Sequence, residues 1–264
     1  MIVDSHQHFW DPAAAEYPWM TDELASLRRR FGPEDLEPLL REHGVSGTVV
    51  VQARHDLDET RQLLATAAAT PFVLGVVGWV DLTGDVERQL SALEGPLVGV
   101  RHQVHDEPDP KWLLRDDVQR GLAAVGDAGL VYDLLVRVRE LPAAVETVIR
   151  HPSMRFVLDH VGKAPHSGRD EWARQVAALA ELPNVTCKVS GLFTEADPEG
   201  TAVLAMDWFG YDRCMFGSDW PVCLLASSYG DAIRIAGKND DVLGGTAIRT
   251  YGVAVTSSAL TSLG

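Results

Sequence analysis

The stretch Met1-Ile2-Val3-Asp4-Ser5-His6-Gln7-His8 decides the fold, because it runs from an apolar strand directly into a turn without glycine. The main competing architecture is a doubly wound α/β sheet, which usually carries a glycine-rich phosphate-binding turn after its first strand. Ser5-His6-Gln7-His8 stands in that place here. The beginning of the chain therefore favours a closed barrel over an open, nucleotide-binding sheet.

Short apolar runs alternate with helix-like stretches along the rest of the chain. The eight candidate strands are Met1–Asp4, Gly47–Val51, Phe72–Val77, Leu97–Val100, Leu130–Leu135, Arg155–Leu158, Val185–Val189 and Arg213–Phe216. The helix-like stretches are Pro33–His43, Asp58–Ala69, Asp85–Leu93, Arg115–Ala128, Leu141–Arg150, Arg169–Leu182, Glu195–Phe209, Ser227–Ala236 and Val242–Tyr251. This alternation implies parallel strands with right-handed crossovers. The sequence thus predicts one α/β domain over residues 1–264, a single (β/α)8 TIM barrel.

Composition narrows the classes of partner. Asp and Glu outnumber Lys and Arg by 38 to 23, which gives a formal net charge of −15. Such a surface repels nucleic acid and anionic membranes, so a small-molecule substrate is the expected partner. The start of the chain has no signal-peptide pattern, and the three cysteines form no Cys-x-x-Cys pair. Reduced thiols of this kind indicate a cytoplasmic protein, while nothing in the sequence indicates an oligomeric state.

Titratable residues gather where the predicted strands end. Each has an ordinary structural explanation: a His-x-His pair is often a surface feature, an Asp after Gly-Ser is often a helix cap, and a strand lysine often reaches solvent. A barrel, however, brings all strand ends to one mouth, and such residues at six ends of one barrel favour a functional site. The residues concerned are His6, His8, Arg101, His102, Asp133, Asp159, His160, Lys188, Ser190 and Asp219.

Two connections are too long to be simple turns. Phe9–Phe31 contains Trp10, Tyr17, Trp19 and Met20, and Val104–Leu114 follows the fourth strand. Connections after barrel strands lie on the face where ligands bind. We therefore expect both segments to fold over the barrel mouth.

Five segments of the chain carry a recognisable motif pattern, namely Val3–Trp10, Gly99–His102, Leu158–Lys163, Lys188–Leu192 and Phe216–Pro221. Together they resemble the amidohydrolase superfamily (amidohydrolase-related family 2), and within it the sugar-lactone hydrolases of the L-fuconolactonase and L-rhamnonolactonase type. The resemblance extends in order over nearly the whole chain.

The resemblance implies a set of metal ligands around a reacting water, namely His6, His8, His160 and Asp219. Two further ligands of the superfamily are absent, because the fourth strand offers Arg101 and His102 instead of a lysine and the fifth offers Asp133 instead of a histidine. The expectation is at most one divalent ion, with zinc suited to a His and carboxylate set that keeps an open position. Catalysis without a metal stays open as an alternative.

The implied activity is hydrolysis of a small lactone, most specifically a sugar aldonolactone, by water that Asp219 activates. His160, Arg101 and His102 are the candidates for polarising the carbonyl, and Trp19, Gln52, Lys188 and Trp220 for contacting the substrate. The two alternatives are a metal-dependent decarboxylase of an aromatic or unsaturated carboxylate, whose fold is similar, and a non-catalytic sugar-binding barrel.

Overall fold

Eight parallel strands form one sheet, in chain order, in the part of the chain that the structure describes. The structure is a computed structural model and describes residues 1–256 together with 259, 261 and 263. Each strand overlaps one of the eight predicted from the sequence, so the (β/α)8 barrel is confirmed. The strands are β1 Ile2–Gln7, β2 Val45–Val51, β3 Val73–Gly78, β4 Leu97–Gln103, β5 Val131–Leu135, β6 Phe156–Leu158, β7 Val185–Val189 and β8 Cys214–Phe216.

The first and last strands meet at the carboxyl end of the barrel. Gln7 forms a parallel bridge with Trp220. The His8 amide donates to the Trp220 carbonyl at 2.7 Å, and the Asp219 amide donates to the His6 carbonyl at 2.8 Å. These bonds place the His6–His8 segment and Asp219 on the same face, as the sequence predicted.

Helices cover the outside of the barrel. The helices of the described residues are α1 Pro33–His43, α2 Leu57–Ala69, α3 Val86–Ser91, α4 Asp116–Asp127, α5 Leu141–Arg150, α6 Arg169–Ala180, α7 Pro198–Phe209, α8 Tyr229–Ala236 and α9 Thr246–Tyr251. The helices α7 and α9 begin three and four residues later than predicted. The Asp197 carboxylate accepts from the Gly200 amide at 3.1 Å and so starts α7 at Pro198, and a wide π-type turn over Asp241–Gly245 precedes α9.

The interior of the barrel is filled with side chains. Inward-pointing strand residues form a cluster at the end away from the mouth, and α9 closes that end with Ala247 and Tyr251. The strand residues of this cluster are Val3, Val49, Val51, Val77, Val131, Val157 and Met215. A plugged barrel leaves only its mouth open to ligands.

Both long connections cover the mouth, as expected. Trp10 and Phe31 close the first one with a pair of backbone hydrogen bonds, and Trp19 of this segment lines the mouth. The second contains two short 3-10 turns, Val104–Asp106 and Trp112–Leu114, of which the first brings His105 and Asp106 to the mouth.

The remaining sequence expectations concern the molecule as a whole. All three cysteines are buried free thiols. Among the described residues, no helix combines the length and apolar character that crossing a bilayer requires. Residues 257, 258, 260, 262 and 264 of the predicted domain lie outside the described residues, and the single-domain boundary stays a prediction.

At Gly217, the residue that follows β8, the chain passes close to β1. A Cβ atom at this position would lie 2.6 Å from the His6 Cβ and 3.0 Å from the Ser190 Cβ. We expect Gly217→Ala to lower the free energy of unfolding by about 1–3 kcal/mol, the usual cost of overpacking, as measured by urea unfolding. Gly47→Ala is the control, because its new methyl meets only the end of the half-buried Leu74 side chain. Equal losses in the two variants would contradict this account.

Candidate active site

His6, His8 and Asp219 converge at the floor of the mouth. The two Nε2 atoms lie 3.2 Å apart, and Asp219 Oδ1 lies 3.4 Å from that of His8 and 3.7 Å from that of His6. The alternation of side chains along an extended segment puts the two histidines on the same side. All three are at least 95% buried. The Asp219 carboxylate thus faces the imidazoles, so it does not act as the helix cap that its Gly-Ser context suggested.

The tautomers of both histidines follow from their neighbours. His8 Nδ1 lies 2.7 Å from the Val51 carbonyl oxygen, which only accepts, so Nδ1 carries a proton. His6 Nε2 lies 3.2 Å from Nη1 of Arg101, which only donates, so this nitrogen carries a lone pair. The lone pair of His6 Nε2 therefore lies next to His8 Nε2 and the Asp219 carboxylate.

His160 joins the cluster through a strained turn after β6. Its φ of 54° and the φ of 52° at Val161 are left-handed, a conformation that ordinary residues adopt only when their surroundings enforce it. Trp172 holds the turn by donating to the Val161 carbonyl at 2.8 Å. Ser190 Oγ lies 2.9 Å from His160 Nδ1, and a Cβ on Gly191 would approach that nitrogen to 2.5 Å. The His160 ring is held in this way 4.6 Å from that of His6.

The electrostatics of the cluster keep its groups in defined states. Burial lowers the pKa of His160 to about 4, so the ring is neutral at pH 7. Burial by itself would raise the pKa of Asp219, but His160, His8 and His6 outweigh it and hold that pKa well below its usual range. Burial also holds the pKa of His6 well below its usual range, so the site presents an ionised carboxylate beside the neutral rings of His6 and His160.

Arg101 lies beside the cluster, and its guanidinium group is held by His6, Asp159 and Gln52. Nη1 donates to Asp159 Oδ2 at 2.9 Å, and Nη2 donates to Gln52 Oε1 at 3.0 Å and also to the Gln52 carbonyl. Burial by itself would raise the pKa of Asp159, but Lys188, His6 and Arg101 hold it well below its usual range. Arg101 is 97% buried and its remaining surface lines the cavity.

Asp4 stabilises the turn that contains Asp219. Its fully buried carboxylate accepts from the Ser218 amide at 2.8 Å, the Ser218 hydroxyl at 2.6 Å, the Tyr229 hydroxyl at 2.9 Å and the His6 amide at 3.1 Å. Burial raises the pKa of Asp4 to about 6, although these hydrogen bonds each act to lower it. One carboxylate in β1 thereby links β1, the Asp219 turn and α8.

A cavity of about 740 Å³ opens above this floor. Its lining is mixed in charge, with basic residues of the β4, β5 and β6 connections facing acidic ones. The lining includes His8, Trp19, Glu23, Arg101, Gln103, His105, Asp106, Arg137, His160, Lys163, His166, Glu195 and Asp219. Drug-sized and sugar-sized ligands bind in clefts of this volume.

The structure does not bring His102 to this cavity. Adjacent residues of a strand point to opposite faces, so β4 turns Arg101 inward and His102 outward. The His102 ring stacks between Trp112 at 4.1 Å and His55 at 3.9 Å. Its Nδ1 accepts from Trp79, and its Nε2 pairs with Glu107 at 2.8 Å. The geometry therefore gives no support to a catalytic role for His102.

Three of the four predicted substrate-binding residues are also enclosed. Gln52 and Lys188 have no exposed surface, and Trp220 is 1% exposed. Gln52 binds Arg101, Lys188 binds buried carboxylates, and Trp220 packs against Phe31 with ring centroids 5.4 Å apart. Of the four, Trp19 alone lines the cavity, with its indole N–H donated to the Ala53 carbonyl at 2.8 Å.

Comparison with known proteins identifies the family. The profile of the family described as amidohydrolase matches residues 3–253. The chain belongs to the amidohydrolase family. It is 42% identical to the L-fucono-1,5-lactonase of Burkholderia ambifaria over 87% of this chain and 83% of that protein. It is 39% identical to the L-fucono-1,5-lactonase of Burkholderia multivorans, over 94% and 95% of the two chains.

A solved amidohydrolase structure from Burkholderia multivorans is also similar. It contains bound zinc and is 37% identical to this chain, with a TM-score of 0.91 over 96% of this chain and 100% of the other.

The donor set of this amidohydrolase fits one zinc ion. One nitrogen each from His6 and His8 and one Asp219 oxygen lie within 4.8 Å of one another, which leaves a position open for a ligand. The two Nε2 atoms, 3.2 Å apart, and Asp219 Oδ1 are nitrogen and oxygen donors of the kind that zinc binds. His160 lies in a second grouping with His6 and Asp159, but the Asp159 carboxylate is already paired with Arg101 and Lys188.

Sequence reasoning missed one carboxylate that shapes the site and assigned no role to a second. Asp4 stands inside an apolar strand, and a charge in such a run is a recognisable sign of a buried, hydrogen-bonded carboxylate. Asp159 was predicted to lie at the barrel mouth, but without a function. No sequence signal shows that it contacts Arg101 and Lys188, because those contacts join strands that are distant in the chain.

We expect zinc to bind with a stoichiometry of at most one per chain. Elemental analysis after equilibration with excess zinc and gel filtration measures this value. His8→Ala should lose the ion because it removes one of three donors. His151→Asn is the control, since His151 lies at the end of α5 and pairs with Gln119. Two tightly held ions per chain, or full zinc retention in His8→Ala, would contradict the assignment.

Proposed function

We propose that this protein is a lactonase that opens a small sugar lactone, an aldonolactone, by attack of water activated by Asp219. The observation that carries the proposal is the ionised Asp219 carboxylate, which lies among His6, His8 and His160 at the floor of an open cavity. The two lactonases of 42% and 39% identity support the same reaction class.

The first step in this proposal is proton removal from water. A water molecule between Asp219 and His8 gives one proton to the carboxylate while its oxygen attacks the lactone carbonyl. Because the pKa of Asp219 is held below its usual range, the protonated carboxyl is a strong acid. It passes the proton to the ring oxygen as the carbon–oxygen bond breaks, which restores the carboxylate. The products are one alcohol and one carboxylic acid, and the acid loses its proton to solvent.

The second requirement is stabilisation of the tetrahedral oxyanion. His160 is neutral and has Nδ1 engaged by Ser190, and its ring lines the cavity. Arg101 supplies a fixed positive charge next to His6. Preorganised donors and charges of this kind are usually the largest contribution to acyl-transfer catalysis. We assign His160 and Arg101 to the carbonyl oxygen.

Substrate contacts and the metal complete the proposal. Trp19 offers an aromatic surface to the apolar side of a sugar ring, and Gln52, Lys188 and Trp220 support the site from below without touching the ligand. A zinc ion held by His6, His8 and Asp219 would supply positive charge and lower the pKa of a nearby water. We further propose one domain over residues 1–264 and a cytoplasmic location, which the three free thiols support.

A panel of aldonolactones tests the activity. L-fucono-1,5-lactone comes first, followed by its stereoisomers and by five-membered-ring lactones, with acid release followed by a pH indicator. We expect hydrolysis of at least one six-membered-ring sugar lactone. Release of carbon dioxide from aromatic carboxylates without any lactone hydrolysis would favour the decarboxylase alternative. Binding without turnover would favour a sugar-binding barrel.

Asp219→Asn tests the base. The amide keeps the size of the side chain but cannot accept a proton, so kcat should fall by at least about 10²-fold, while KM changes much less. Asp197→Asn is a matched control, because Asp197 has a φ of 50° close to the 56° of Asp219 but serves as a helix cap. Zinc content is measured in both. A folded, zinc-replete Asp219→Asn protein with near-native kcat would exclude Asp219 as the base.

The pH profile tests the charge states. The reaction needs ionised Asp219 and neutral His160, so activity is lost as pH falls through either pKa. The pKa of His160 is about 4 and that of Asp219 lies well below its usual range. We therefore expect kcat/KM to stay level from neutral pH down to about pH 5, after correction for spontaneous hydrolysis. An acid limb centred near the ordinary histidine value of 6.5 would contradict the assigned control by Asp219 and His160.

A further inference from the structure

A chain of buried charges lies directly beneath the active site. It consists of two cations, Arg101 and Lys188, and two carboxylates, Asp133 and Asp159. None of the four is more than 3% exposed. They come from four consecutive strands or strand ends, β4 to β7, so the chain crosses the inside of the barrel.

Lys188 connects the two carboxylates. Its Nζ lies 2.5 Å from Asp133 Oδ2 and 3.0 Å from Asp159 Oδ1. Tyr251 of α9 continues the chain below, since its hydroxyl lies 2.8 Å and 3.0 Å from the two oxygens of Asp133. The helix that closes the bottom of the barrel is thus linked through Asp133 and Lys188 to Asp159.

Asp159 in turn faces the active site. Its Oδ1 lies 3.4 Å from His6 Nδ1, and its Oδ2 accepts from Arg101. Because Arg101 donates to His6 Nε2, the His6 proton must sit on Nδ1, where it faces Asp159. A carboxylate behind a functional imidazole fixes the tautomer and the orientation of the ring.

We propose that Lys188 is a positioning residue, which is anchored by Asp133 and Tyr251 and holds Asp159 and, through it, Arg101. This arrangement keeps the His6 proton on Nδ1 and the lone pair on Nε2, where zinc would take the place of the Arg101 contact. Lys188 acts through Asp159 and does not touch the substrate, which agrees with its lack of exposed surface. The link to catalysis rests on the proposed lactonase function, whereas the link to the His6 tautomer and to zinc affinity does not.

Lys188→Met is the direct test. Methionine keeps an unbranched side chain of similar length but provides no hydrogen-bond donor, so Asp159 loses one of its anchors. We expect the dissociation constant for zinc, measured by competition with a chromophoric chelator, to rise about 10–100-fold, as is usual when an outer partner of a metal-binding histidine is removed. Because Asp159 also holds Arg101 Nη1, its displacement loosens both contacts that keep the His6 proton on Nδ1. In the zinc-free protein, ¹⁵N NMR should therefore show His6 changing from the single Nδ1–H form to a mixture of tautomers.

Tyr251→Phe is the second variant and keeps all four charges in place. It removes only the hydroxyl that anchors Asp133, so the same two changes should appear in a weaker form, with a several-fold rise in the zinc dissociation constant. Tyr132→Phe is its control, because the Tyr132 hydroxyl is fully buried and makes no hydrogen bond within the described residues. If Lys188→Met does not fold, the comparison of these two phenylalanine variants decides the question.

The outcomes separate positioning from plain stability. A loss of unfolding free energy in Lys188→Met or Tyr251→Phe, with His6 tautomer and zinc affinity unchanged, overturns the proposal. An Nε2–H tautomer of His6 in the wild type also overturns it. Tautomer and zinc effects in a protein that hydrolyses none of the lactones would support the positioning role and refute only the lactonase function.

Discussion

The contact between the first and last strands is the interaction on which the rest of this protein depends. Two backbone hydrogen bonds, from Asp219 to His6 and from His8 to Trp220, close the barrel and join the two halves of the active site. Asp4 strengthens the same junction from inside by accepting four hydrogen bonds. A small displacement between β1 and β8 would alter both the barrel and the spacing between the carboxylate and the imidazoles. Stability and chemistry therefore rely on the same few contacts.

Burial of charge is the second constraint. Removing a charged group from water is costly unless it is paired, and breaking a buried pair leaves an uncompensated charge. The interior of the barrel meets this constraint because its two cations, Arg101 and Lys188, form ion pairs with the two carboxylates of Asp133 and Asp159. The chain as a whole has a formal net charge of −15, whereas these four buried charges sum to zero. A locally balanced interior allows the Asp219 carboxylate to stay ionised with histidines as its immediate neighbours.

Alternation along single strands explains why some residues enter the site and others do not. Arg101 and His102 are adjacent and equally polar, yet one points to the cavity and the other into a stack with His55 and Trp112. Trp220 follows Asp219 immediately but packs into the core with Phe31. A position next to a proposed catalytic residue in the sequence thus places a residue near the barrel mouth but does not determine the direction of its side chain.

The sequence by itself determined the barrel and the four residues at its functional centre. Strand–helix alternation is a local pattern, set by apolar runs and helix ends, so all eight strands could be predicted. The strand ends marked ten candidate residues, from which the resemblance to the amidohydrolase superfamily singled out His6, His8, His160 and Asp219. Only the tertiary structure decided the charge states and the supporting contacts. Lys188 contacts Asp133 and Asp159 across 55 and 29 residues of chain, and the Asp4–Ser218 contact spans 214. Such contacts depend on strand register and side-chain direction, and no local pattern in the chain encodes either.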